Sequence, residues 1–175
     1  GCTRLPFTKE ARDAVNYLRE TMEEIGLEVH EDEAGNVFGI LRGTDPEAPC
    51  VMSGSHYDSV IHGGNYDGIG GVVCSIEMAR QIVESGMEHK RDLVVVGFND
   101  EEGMRFGTGY FGSGAMLGHR DEAYTEQFKD ADGISIAEAM KEYGLNPAKV
   151  GDAAWKEGSI GHFVEAHIEQ GPVLD

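Results

Sequence analysis

Positive charge is what this sequence most conspicuously lacks. Its 14 Lys and Arg stand against 32 Asp and Glu, a formal net charge of -18. Such a surface repels the phosphates of nucleic acids and anionic membrane surfaces, so neither is expected as a partner. Long apolar runs are missing as well. No stretch approaches the roughly 20 apolar residues of a membrane-spanning helix, and no secretory leader is expected. Cysteine is scarce: Cys2, Cys50 and Cys74 are an odd number with no C-x-x-C among them. Cys50 and Cys74 lie in apolar runs, which predicts buried, reduced thiols and a cytoplasmic protein rather than a disulfide framework. Also absent are G-x-S-x-G, the lysine of a P-loop and the spacing of a dinucleotide fingerprint. Neither Cys50 nor Cys74 has a polar, activating neighbourhood. Nucleophilic serine or cysteine chemistry and phosphate cradling are therefore poor readings.

What is present suffices for one domain, since 175 residues with 40% hydrophobic content can bury a proper core. The chain does not open with Met and stops at Asp175 just after a motif-like run, so we expect it to be part of something longer.

Residues 8–25 place Ala11, Val15, Leu18, Met22 and Ile25 on one helical face, with Thr8 as N-cap and Gly26 as the stop. Leu27 to Val29 and Val37 to Leu41 read as strands joined by the turn-rich EDEAGN, and Cys50 to Ser53 as a third strand. Val72, Ile76, Ala79 and Val83 mark a second helix ending near Gly86. Leu93 to Phe98 is the most apolar run and reads as a central, doubly covered strand. Residues 107–118 are glycine-rich and then helical around Ala115, and residues 120–143 hold one or two helices with Ser135 as a cap. Residues 144–158 read mostly as loop, and Phe163 to Ile168 alternates as a last strand. Strands alternating with helices predict an α/β fold with a mixed, largely parallel sheet sandwiched by helices. Ligands in such sheets collect beyond the carboxyl ends of the strands.

Three predicted strand ends carry acids or histidines: His56 with Asp58, Glu101 with Glu102, and His167 with Glu169. The first opens the glycine-rich stretch GSHYDSVIHGGNYDGIGG, in which Asp67 follows eleven residues after His56 and can fold back onto the same ion. These residue types suit a hydrolytic site with two divalent metals, which needs a bridging carboxylate, histidine and carboxylate ligands, and a base for water. Asp67 is the candidate bridge, His56 and His167 the nitrogen ligands of the first ion, and Glu102 a ligand of the second. Glu101, facing away from Glu102 if the strand continues, is the candidate base. Asp58 would fix the tautomer of His56. His62, His89, His119 and His162 are not taken as ligands. Singly, each residue has a plainer explanation: an incidental H-x-D, a solvated acidic pair, a core histidine. Their convergence at three strand ends decides for metal. Zinc suits the mixed donor set, as do manganese, cobalt and nickel.

GSHYDSVIHGGNYDG, NDEEGMRF followed by GSGAMLG, and EAHIEQGPVLD resemble the amidase/hydantoinase/carbamoylase group of dinuclear metal amidohydrolases, in order and along essentially the whole chain. That group includes N-carbamoyl-L-amino-acid hydrolases, allantoate amidohydrolases and β-ureidopropionases, relatives of the aminoacylases and dizinc carboxypeptidases. The resemblance implies hydrolysis of a C–N bond in a small ureido or amide substrate by water activated at two metals. It implies the same ligands, with Glu101 and Asp58 catalytic, and adds Gln170 as a substrate contact. It further implies that residues 1–175 are the first portion of a catalytic domain whose parent is a homodimer. The last histidine ligand of the group, and the smaller lid and dimerisation domain with its carboxylate-gripping arginine, have no counterpart here. The group also often has Arg where this chain has Gly114. A dizinc aminopeptidase or aminoacylase, or a metal-binding module without catalysis, are the alternatives.

Overall fold

The computed structural model describes residues 1–171 and residue 173, so the end of the EAHIEQGPVLD run lies partly outside the described residues. Helix α1 (Lys9–Glu24) buries Ala11, Val15, Leu18 and Met22, and the Thr8 hydroxyl accepts from the Ala11 N–H at 3.3 Å. Strands β1 (Glu28–Glu31) and β2 (Val37–Leu41) follow, then β3 (Cys50–His56), α2 (Ile69–Ser85) and β4 (Leu93–Phe98). Three short helices, α3 (Phe111–Met116), α4 (Glu122–Gln127) and α5 (Ile136–Tyr143), precede a 3₁₀ turn at Pro147–Ala153 and strand β5 (Ile160–Val164). Ser135 and Glu138 form a reciprocal capping box at the start of α5.

The sheet runs in the order β1-β2-β4-β3-β5. It is mixed but not largely parallel, which corrects the expectation: β2 pairs antiparallel with both β1 and β4, while β3 pairs parallel with β4 and β5. The reason is the short connection at residues 32–36. A tight turn can join only antiparallel neighbours, whereas a parallel pair needs a crossover of a dozen or more residues. Asp32 builds that turn by accepting from the Ala34 and Asn36 N–H groups at 2.9 and 2.8 Å. Asn36 then accepts from the Asn99 N–H at 3.0 Å, stitching the turn to the end of β4.

Alternation along β4 divides the core. Val95 packs with Leu18, Met22, Val72, Ile76 and Tyr57 beneath α1 and α2, whereas Val94 and Val96 face Phe38, Met52, Phe98 and Met116 on the other side. A further cluster of Phe7, Phe106, Phe111, Ile136 and Met140 holds α3 and α5 together. Strand β5 has one unpaired edge, and its Phe163 and Val164 are 44% and 59% exposed.

Other expectations shift. The third strand runs on through Ser53–His56, and the last strand lies three residues earlier than expected and stops at Val164, leaving His167 beyond it. Cys50 is buried, but Cys74 is exposed on α2 and so is not the buried thiol expected of it. All three cysteines are free. Among the described residues no helix is long and apolar enough to cross a membrane.

Candidate metal centre

Because β3, β4 and β5 run parallel, their carboxyl ends open on one side of the sheet. His56 is the last residue of β3 and is buried. Its Nδ1 lies 3.0 Å from the Asp58 main-chain oxygen and 3.4 Å from the Asp58 carboxylate. A proton held there on Nδ1 turns Nε2 towards the site. Nε2 stands 3.2 Å from His167 Nε2, and 3.8 Å from both Asp67 Oδ1 and Glu102 Oε1. His167 Nε2 is 3.4 Å from the same Asp67 oxygen, while its Nδ1 is 2.7 Å from the Ile168 carbonyl. Gly68, at φ +64, passes so close that a Cβ there would fall 2.3 Å from His56 Cε1; glycine is what allows the ring its place.

These three residues form the one group of potential ligands found among the described residues, with donor atoms all within 4.8 Å of one another. Their fit to an ion is shown by Asp67. It is 4% exposed, yet its Oδ1 has no hydrogen-bond partner among the described residues and faces two imidazole nitrogens. A buried acceptor left so is costly unless something positive sits there. Two nitrogens each about 2.0–2.1 Å from a tetrahedral zinc stand about 3.3–3.4 Å apart, close to the separation of the two imidazoles. Burial pulls the His56 pKa down, but the Asp58 hydrogen bonds and charge, aided by Glu102, more than offset it and raise the value to about 9.

Strand β4 stops at Phe98, and Asp100 in the left-handed region (φ 54) turns the chain. Strand alternation therefore does not separate Glu101 from Glu102; this turn does. The Asp58 carboxylate accepts from the main-chain N–H of both, at 3.0 and 3.1 Å. Glu102 points towards His56, whereas Glu101 Oε2 accepts from the Ser113 hydroxyl at 3.0 Å. Burial pushes the Glu101 carboxyl above its ordinary value; the Ser113 hydrogen bond opposes the rise and the Asp58 charge adds to it. Gln170 donates its side-chain amide to Asp67 Oδ2.

All of the candidate residues thus meet at one place, and the centre opens into a cavity of about 450 Å³ lined by His56, Glu101, Glu102, Tyr110, Glu165, His167 and Gln170. Four neighbours were not singled out from the sequence. Ser113 lies in the GSGAMLG run with Tyr110 two residues before it, Ser55 precedes His56, and Glu165 opens EAHIEQG; only their placement in or near those motifs could have pointed to them.

Residues 36–157 match the model of peptidase family M28. The chain is 47% identical over 175 residues to the N-carbamoyl-L-amino acid amidohydrolase of Geobacillus stearothermophilus, covering all of this chain and 42% of that protein. A crystal structure of a hydantoinase/carbamoylase family amidase from Burkholderia ambifaria superposes with a TM-score of 0.88 at 32% identity, over 99% of this chain and 41% of the other. The chain belongs to the hydantoinase/carbamoylase family of amidohydrolases. Another relative, the allantoate amidohydrolase of Bacillus subtilis, is 41% identical over all of this chain and 42% of its own length. The chain thus spans about two fifths of the length of these relatives. At Gly114, a Cβ would lie 2.7 Å from the Arg120 Cζ. Arg120 fills that space from six residues on, donating to the Tyr110 carbonyl at 3.0 Å.

Proposed function

We propose that the protein carrying this chain is a cytoplasmic, metal-dependent amidohydrolase that cleaves a C–N bond of a carbamoyl (ureido) amino-acid-like substrate. The observation that carries the reading is the convergence of His56, Asp67 and His167 on one point, with the orphaned Asp67 oxygen aimed at it and Glu101 nearby. A divalent ion bound there supplies Lewis-acid polarisation of a carbonyl oxygen and a lowered pKa for water. Zinc fits the donors best, with manganese, cobalt or nickel as alternatives. Glu102 and Asp67 are the residues that would share in holding a second ion.

Glu101 takes a proton from the attacking water and returns it to the departing nitrogen. Its pKa, raised by burial, suits a carboxyl that must hold a proton in mid-reaction. Asp58 and Ser113 position it. Gln170, released from Asp67, contacts the substrate on this reading, which its position in the cavity wall supports. The names of the carbamoyl- and allantoate-hydrolysing relatives support the ureido class, and three free cysteines agree with a reducing compartment. We read residues 1–175 as the first portion of the catalytic domain and the parent as a homodimer.

The M28 match favours a second reading, an aminopeptidase-like activity on the same centre. The test is to strip the full-length protein with chelator, restore zinc or manganese, and assay N-carbamoyl amino acids, allantoate and dipeptides. Metal-restored turnover of a ureido compound is expected. Cleavage of dipeptides alone would replace the reading with the second, and tight metal binding with no turnover would make this a binding module.

A further inference from the structure

Three carboxylates line the cavity, and two have work: Glu101 moves the proton and Glu102 stands beside His56. Glu165 has none so far. It lies just past β5, exposed to the cavity, with Oε1 accepting from the Ser55 hydroxyl at 2.5 Å. Ser55 is fully buried and precedes His56 at the end of central strand β3. This carboxylate is thus tethered to a buried residue of an interior strand, one residue from a candidate ligand. Its second oxygen carries no hydrogen bond among the described residues. A carboxylate only accepts hydrogen bonds. The amide of Gln170, which donates to Asp67 here, offers N–H donors and cannot accept from a substrate N–H through its nitrogen.

On the ureido reading given above, the geometry points to Glu165 as the group that recognises the terminal –NH₂ of the carbamoyl moiety. That amine differs from the methyl of an acyl group in one respect that matters here, its two N–H donors. An anchored carboxylate facing it forms a charge-assisted hydrogen bond that an acyl substrate cannot make. Sites that hydrogen-bond a substrate N–H favour it over analogues that lack the donor. Glu165 is a specificity-determining residue: it separates a ureido hydrolase from an acylase on the same metal centre.

The experiment compares the N-carbamoyl and N-acetyl derivatives of one amino acid, a pair matched in shape, with the zinc-loaded full-length protein. For Glu165→Gln, kcat/KM on the carbamoyl compound should fall by about tenfold or more relative to that on the acetyl compound, since hydrogen bonds to charged groups exceed neutral ones. Ser55→Ala, which removes only the tether, should move the ratio the same way by less, with metal content and melting temperature kept in both variants. Equal falls on both compounds, or an unchanged ratio, would overturn the assignment. A wild-type protein that cleaves the acetyl but not the carbamoyl compound would instead overturn the ureido reading itself, so the two failures are told apart.

Discussion

The proton that His56 holds when no metal is bound gives the sharpest test of the centre. A histidine must be neutral to ligate, so an incoming ion has to displace that proton. With the His56 pKa near 9, the ring is almost wholly charged at pH 7. Removing its proton there costs about 1.4 kcal/mol for each of the two intervening pH units, near 3 kcal/mol in total. That is about a hundredfold in affinity. Zinc affinity should therefore rise about tenfold per pH unit from 7 to 9 and level off above. Titration against a competing chelator at several pH values measures the slope, and calorimetry in buffers of different ionisation enthalpy counts the proton, about one released per ion below pH 9. The metal-free protein should show the opposite trend in stability. The folded pKa lies above the ordinary 6.5, so the stabilisation from His56 is complete below pH 6.5 and is lost as pH rises towards 9. An affinity that stays flat from pH 7 to 9, with no proton released, would refute this account of the site.

Other substitutions probe other parts. Glu101→Gln in the full-length protein should keep metal bound while kcat falls by about 10² or more, read by single-turnover kinetics alongside metal analysis. Gly68→Ala forces a methyl to within 2.3 Å of the His56 ring and strains a positive φ, so zinc affinity should drop at least tenfold while far-ultraviolet circular dichroism stays unchanged. Leu18→Ala empties a site 1% exposed between α1 and the sheet, and should cost about 2–5 kcal/mol in urea unfolding. Ser135→Ala removes the capping box of α5 and should cost about 1 kcal/mol by the same measurement.

The sequence patterns that proved readable were those with a strong local period. The apolar stripe of α1 and the unbroken run Leu93–Phe98 have no competing explanation. What could not be read depends on partners distant in the chain. Gly54–His56 has little strand propensity of its own, yet pairs with Val96–Phe98 because β4 is already in place. The period-2 pattern of Phe163 to Ile168 suggested a strand that in fact pairs from Ile160 to Val164, since register is set by β3 rather than by β5 itself. The antiparallel placement of β2 was implicit in the short turn after β1, but its second antiparallel pairing, with β4, is a matter of sheet order that no local signal carries. At the centre, the histidines and acids were visible as residue types at strand ends. Their hydrogen-bond partners were not: a serine such as Ser113 becomes meaningful only once α3 is laid against Glu101.

The two main-chain hydrogen bonds that Asp58 accepts from Glu101 and Glu102, together with its hold on the His56 ring, bear on how variants of this site must be interpreted. On the proposed roles, ligand and proton-transfer group are not separate parts that can be adjusted one at a time. They hang from a single side chain, so a change at position 58 alters ion affinity and proton transfer together, and losses at 58 and 101 will not add. If the proposed roles hold, anyone retuning this scaffold for a new metal would be retuning its base in the same stroke.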